Sequence, residues 1–218
     1  MKKVYIVGES HYVTDYFKMY YEKGYKPVLT MEEADIVQFT GGSDVSPNLY
    51  HEGPHPHTYF DNKRDIQEMK EYVKALNSNK YMVGICRGGQ FLNVMNQGKM
   101  YQDVNNHAIS GTHIAIDQET GRDIKVTSTH HQMMRKGTNA IIVAYAQNLS
   151  TYKEHIDRGC IMRVTEDNVD LEVLWYSDTK CLCFQPHPEI PTGKRECRDY
   201  FFELLNRYIN VEDTKCVV

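Results

Sequence analysis

Six cysteines occur in the chain, at positions 86, 160, 181, 183, 197 and 216, and one of them stands where a thiol could do chemistry. The stretch Tyr81-Met-Val-Gly84-Ile-Cys86-Arg87-Gly88-Gly89-Gln90 is a short apolar strand that runs through Gly-x-Cys-x-Gly into a helix. That pattern is the thiol counterpart of the Gly-x-Ser-x-Gly nucleophile elbow. A sharp strand-to-helix turn forces the nucleophile into a strained backbone conformation, and side chains two positions away on either side would collide there. At a helix N-terminus the dipole and the free N–H groups favour an anionic sulfur. The N–H of Arg87, next after the nucleophile, is placed to help hold an oxyanion.

A nucleophilic thiol needs a base, and the base needs an orienting group. Gln185-Pro186-His187-Pro188-Glu189 follows the apolar run Cys181–Phe184. Histidine and glutamate two residues apart in an extended segment point the same way, so Glu189 can reach one nitrogen of His187. The prolines stiffen the turn and remove competing N–H donors. Other clusters carry less chemistry. His51, His55 and His57 with Asp61 have the spacing of a metal loop, but they lie on a proline-rich stretch without a cysteine and read as structural or solvated histidines. No metal or other cofactor is expected. Cys181 and Cys183 alternate on one strand face as core thiols. His130-His131 divides between a residue facing a pocket and one packed inside.

Taken in order, several blocks form one pattern. They are Thr40-Gly41-Gly42-Ser-Asp44-Val-Ser-Pro47-Asn-Leu-Tyr50, Arg64-Asp65, the Cys86 elbow with Phe91-Leu-Asn93, Tyr101-Gln-Asp103, Ser128-Thr-His130-His131-Gln132 and Gln185-Pro-His187-Pro-Glu189. The pattern resembles the class I glutamine amidotransferase superfamily, and within it the γ-glutamyl hydrolase branch that includes γ-glutamyl-γ-aminobutyrate hydrolases. The resemblance implies a flavodoxin-like three-layer sandwich and a catalytic triad of Cys86, His187 and Glu189. It also implies an oxyanion hole from the N–H of Arg87 and that of Gly42 or its neighbour. Gln90, Ser128, His130 and His131 would line the glutamyl pocket. The implied reaction is cleavage of a γ-glutamyl amide, or of glutamine, through a γ-glutamyl thioester. A glutaminase subunit delivering ammonia to a separate synthetase chain shares the same triad. The chain departs from the family at Gly89, where a larger apolar residue is usual, and at Pro186, where the family has an aromatic residue.

These groups need a frame. With 218 residues, 41% hydrophobic and 25% charged, the chain has the mix and length of one globular domain, expected over 1–209 with a tail at 210–218. Its net charge of −4 (25 basic against 29 acidic residues) gives no electrostatic reason for a nucleic-acid or anionic-membrane partner. The longest clean apolar run, Ala140–Ala146, is far short of a membrane span. With no secretion signal, the cysteines are expected to be reduced and the protein cytoplasmic. Strand patterns at Val4–Val7, Asp35–Phe39 and Tyr81–Ile85 alternate with helical ones at Thr14–Lys23, Asp61–Asn77 and Gly88–Asn96. That alternation predicts βαβ units and an α/β sandwich on a mainly parallel sheet. The second half is richer in strands (His113–Ile116, Asp123–Val126, Ile141–Tyr145, Leu171–Trp175, Cys181–Phe184) and closes with a helix at Glu196–Ile209. The stretch Ala146–Leu171 follows the family pattern poorly. The tyrosines of Tyr16–Tyr25 fit either a homodimer patch or simple packing.

Overall fold

A computed structural model of the chain describes residues 1–8, 10–190 and 195–209. In chain order the first half holds β1 (Lys3–Val7), α1 (Ser10–Glu22), β2 (Lys26–Val28), β3 (Ile36–Phe39), α2 (Asn62–Asn77), β4 (Tyr81–Ile85) and α3 (Arg87–Met95). The middle is made of strands: β5 (Lys99–Tyr101), β6 (Asp103–Val104), β7 (Ala108–Asp117), β8 (Asp123–Thr129), β9 (Met133–Arg135) and β10 (Ile141–Gln147). The remainder comprises β11 (Lys153–Asp157), β12 (Cys160–Val164), β13 (Val169–Tyr176), β14 (Cys181–Phe184) and α4 (Arg195–Ile209). The tail expected at 210–218 lies outside the described residues.

One sheet of nine strands organises them in the order β2-β1-β3-β4-β14-β13-β10-β7-β8. Neighbours from β2 to β14 pair in parallel, and those from β14 onward to β8 pair antiparallel, so the sheet is mixed. The alternation of side chains along each strand feeds a separate core on each face. Val4, Ile6, Val83, Ile85, Leu182 and Phe184 pack with Tyr16, Tyr20, Phe201 and Leu205 of α1 and α4. Val37, Phe39, Met82, Cys181 and Cys183 pack with Tyr72, Phe91 and Leu92 of α2 and α3. The three layers are therefore present. In the tyrosine-rich stretch Tyr16 and Tyr20 are fully buried in this packing, while Tyr21 is exposed.

α2 carries a surprise. Asp61 caps it, accepting from the N–H groups of Lys63 and Arg64. The apolar residues whose spacing marks the helix, Ile66, Met69, Val73 and Leu76, face solvent. The buried side instead presents Arg64, Asp65, Glu68, Tyr72 and Ala75. The stretch 146–171 that fitted the family pattern poorly holds the hairpin β11–β12, which pairs with β6 and forms a small second sheet. Among the described residues no helix is long and apolar enough to cross a membrane.

Candidate active site

The parallel half of the sheet sets the site at the ends of β3, β4 and β14. Cys86 ends β4 and begins α3 with φ 51° and ψ −115°, a left-handed conformation that costs a non-glycine residue about 1–3 kcal/mol. Its N–H donates to the Phe184 carbonyl at 2.8 Å, fastening the elbow to β14. The flanking glycines answer to sterics. A Cβ on Gly84 would overlap the Gly88 carbonyl, and one on Gly88 would overlap the Phe39 carbonyl of β3. Gly89, one of the departures from the family pattern, lets α3 lie tight on β14, because a Cβ there would come within 2.9 Å of the Phe184 nitrogen.

The segment after β14 carries His187. His187 Nδ1 lies 2.6 Å from Glu189 Oε1, and the His187 N–H donates to Thr127 Oγ1 of β8 at 2.6 Å. Arg198 of α4 donates to the carbonyls of Pro188 and Glu189, which holds the turn from behind. Burial pulls the His187 pKa down, but the charge of the Cys86 sulfur and the Glu189 carboxylate, with hydrogen bonds to both, carries it well above the ordinary histidine value. The imidazole thus stands between sulfur and carboxylate.

The glycine-rich loop after β3 faces them. A Cβ on Gly41 would sit 3.0 Å from His187 Cε1 and 3.7 Å from Cys86 Cβ, so glycine lets the loop close over the pair. Arg64 grips its outer side, donating to the Thr40 carbonyl at 3.0 Å and the Gly41 carbonyl at 2.9 Å. The peptide bonds of the described residues are trans. In a trans peptide the N–H points opposite to the carbonyl, so the N–H groups of Gly41 and Gly42 are turned away from Arg64. That of Gly41 is taken by the Tyr16 hydroxyl at 3.0 Å. Among the described residues nothing accepts from Gly42 N–H.

The other expected site residues divide. Gln90 is buried, its amide donating to Gln185 Oε1 and the Gln132 carbonyl. His131 is half exposed beside the loop, 3.2 Å from Asp44, whose hydrogen bond raises its pKa. Ser128 and His130 turn away from the cleft into the interior. The Ser128 hydroxyl donates to the His107 carbonyl, and His130 stacks on the His107 ring. Burial pushes the His130 pKa down to about 3. The candidate histidine loop disperses as well: His55 pairs with Glu154 and His57 with Asp103, while Asp61 is spent on the α2 cap.

The Arg87 side chain points away from substrate space. It is 1% exposed and pairs with Asp65 and Glu68, and Glu68 also takes Arg64 Nε at 2.8 Å. Sequence reading missed this quartet, together with Tyr16, Thr127 and Arg198. The available signal was Arg64 and Glu68 at i,i+4 with Asp65 between them, an ionic face too concentrated for a solvated helix.

The fold is that of class I glutamine amidotransferase-type proteins, a class of cysteine hydrolases and amidotransferases. More narrowly, the chain belongs to the peptidase C26 family, whose model matches residues 23–155. The match contains Cys86 and ends before β13, so His187 and Glu189 enter on geometry. The chain is 43% identical to protein NtpR of Enterococcus hirae over 75 residues, which cover 34% of this chain and 31% of NtpR. It is 37% identical to the glutamine amidotransferase-like protein YvdE of Lactococcus lactis over 120 residues, 46% of this chain and 51% of YvdE. The chain thus spans a third to a half of these relatives' lengths. A glutamine amidotransferase structure from Thermotoga maritima superposes with a TM-score of 0.57 over 98% of this chain and 86% of that one, at 15% identity, a likeness of fold alone.

Proposed function

We propose that the chain hydrolyses a γ-glutamyl amide bond through a thioester on Cys86. The observation that carries this reading is the strained Cys86 elbow beside an imidazole that is held on its far side by Glu189 at 2.6 Å. The Cys86 thiolate attacks the γ-carbonyl, and the oxyanion takes N–H bonds from Gly42 and Arg87. His187 gives its proton to the departing amine or ammonia. Water then enters, His187 takes one of its protons, and attack on the thioester frees the γ-carboxylate and restores thiolate and imidazolium. Glu189 keeps the imidazole in the tautomer that faces sulfur. The aim of Gly42 N–H, away from Arg64 and unclaimed among the described residues, supports its place in the oxyanion hole. Gln90 and His131, rather than Ser128 and His130, are assigned to substrate.

A panel of glutamine, γ-glutamyl-γ-aminobutyrate and a short poly-γ-glutamate, with Cys86→Ala as the blank, tests the reading by amine and ammonia release. Turnover of a γ-glutamyl amide other than glutamine supports it. Turnover undiminished in Cys86→Ala overturns it. A second reading, a glutaminase subunit feeding a separate synthetase chain, is favoured by the solvent-facing stripe Ile66, Met69, Val73 and Leu76 on α2, the helix whose first turn buttresses the site. Slow glutamine turnover alone, in a protein that runs as a monomer, would favour it. A stable homodimer that loses its association on Val73→Glu would give the stripe to a second copy instead.

A further inference from the structure

Ser128 and His130 turn inward because the interior there is built from histidines. His107, just before β7, donates from Nε2 to Asp170 at 3.1 Å, and its Nδ1 lies 3.6 Å from Glu172 Oε1. His113 of β7 places Nε2 2.8 Å from the same Glu172 oxygen. One ligand atom from each of His107, His113 and Glu172 falls within 4.8 Å of the others. His107 and Glu172 are 0% exposed, and the His113 side chain is 6% exposed. Asp170 is already neutralised by Lys153 at 2.9 Å, whereas Glu172 faces the imidazoles of His107, His113 and His130. Among the described residues His107 Nδ1 and Glu172 Oε2 are buried with no hydrogen-bond partner, and so is Nε2 of the adjacent His130.

An unpaired buried carboxylate oxygen beside unpaired imidazole nitrogens is expensive unless something shares their lone pairs. A proton on His107 relieves Nδ1 alone; a divalent cation shared by His107, His113 and Glu172 relieves that nitrogen and the carboxylate together. The spacings of 2.8 and 3.6 Å bracket the roughly 3.3 Å between neighbouring donors around a tetrahedral ion bound at about 2.0–2.1 Å. Asp170 on His107 Nε2 is the outer-shell carboxylate that commonly orients a metal-bound histidine.

We propose that His107 Nδ1, His113 Nε2 and the Glu172 carboxylate bind one divalent transition-metal ion, zinc in the first place, as a structural clamp between β7 and β13. Two imidazoles and a carboxylate suit zinc among the common divalent ions. The clamp lies directly behind the catalytic turn, because the Glu172 carbonyl accepts from Gln185 N–H at 2.8 Å, two residues before His187. The site stands apart from the proposed reaction and is tested without an activity readout.

The full chain, stripped with chelator and reloaded with Co2+ or Zn2+, is passed through gel filtration and its metal counted. About one equivalent should be retained, with the visible bands of tetrahedral Co2+, and Zn2+ should bleach them. At a hundredfold excess of Zn2+ over its Kd the stripped protein should gain about 5 °C or more in Tm. Glu172→Gln and His113→Asn should each lose the retained metal, while His57→Asn, on the exposed loop, should keep it. If both variants fail to fold, the wild-type stoichiometry and Tm shift decide. No retained metal and no Tm shift in the wild type overturn the proposal, as does full retention in both variants.

Discussion

Arg87→Gln should weaken the fold severely and leave the chemistry nearly intact, although the residue adjoins Cys86, the proposed nucleophile. Arg87 and Arg64 meet Asp65 and Glu68 in the interior, two cations against two anions. Glutamine at 87 leaves that group with one negative charge in excess, and the four side chains are at most 6% exposed. Removing one partner from a buried ion pair costs about 3–5 kcal/mol. In a chain of this size 1 kcal/mol moves Tm by about 2–4 °C, so Tm should fall by roughly 6–20 °C. The oxyanion donor assigned to Arg87 is its backbone N–H, which the substitution keeps. Thermal unfolding followed by circular dichroism measures the first effect. The KM for a γ-glutamyl substrate and the alkylation rate of Cys86, taken well below the lowered Tm, measure the second and should be nearly unchanged. An unchanged Tm with a sharply raised KM would refute the reasoning, because it would mean the guanidinium reaches substrate. Asp65→Asn added to Arg87→Gln removes the excess charge and should restore part of the lost stability, since residues in one ionic network do not act additively.

Three further outcomes follow from the same geometry. In Cys86→Ala only Glu189 remains to oppose burial at His187, so the imidazole should titrate at lower pH than in the wild type, read from its ring protons by NMR; an unmoved midpoint would mean the sulfur and imidazole are not paired. Because the folded value lies above the unfolded one of about 6.5, the stability His187 contributes is full below that pH and fades as pH rises through the folded value, so the Tm gap between wild type and His187→Asn should narrow in alkali. Arg64→Met frees the Thr40 and Gly41 carbonyls and with them the aim of Gly42 N–H. Losing one oxyanion donor costs about 10²–10³ in kcat, so kcat should fall by up to that factor with a smaller change in KM, and an unaltered kcat would show that the loop keeps its aim without the guanidinium.

The elbow and the His-Pro-Glu turn were legible because their requirements are local. Gly84, Cys86 and Gly88 are dictated by one tight turn, and His187 and Glu189 by the period of an extended strand. Buried strands at Tyr81–Ile85 and Cys181–Phe184 appear with the expected bounds, since the chain leaves the interior abruptly at each end. Short edge pieces such as Lys26–Val28 and Lys99–Tyr101 have no such signature, because three residues are stabilised by partners distant in the chain.

α2 shows where periodicity stops being informative. The spacing of Ile66, Met69, Val73 and Leu76 specifies a helix but says nothing about which face meets the sheet. Burying that apolar face would gain hydrophobic energy, yet it would turn Arg64, Asp65 and Glu68 outward and leave Arg87, behind the nucleophile, without a counter-ion. The Thr40 and Gly41 carbonyls would also lose the donor that orients them. The observed orientation follows from those long-range demands, which arise only once α3 and the glycine-rich loop are in place. The same logic separates neighbours on β8. Thr127 serves His187 while Ser128 serves His107, because alternate residues of a strand look to opposite sides, and a motif that begins at Ser128 leaves out the residue that meets His187. Residues that react are recognisable by type and spacing. Those that hold them are recognisable only by what they hold, which is why Thr127 and Tyr16 emerged with the fold rather than with the motifs.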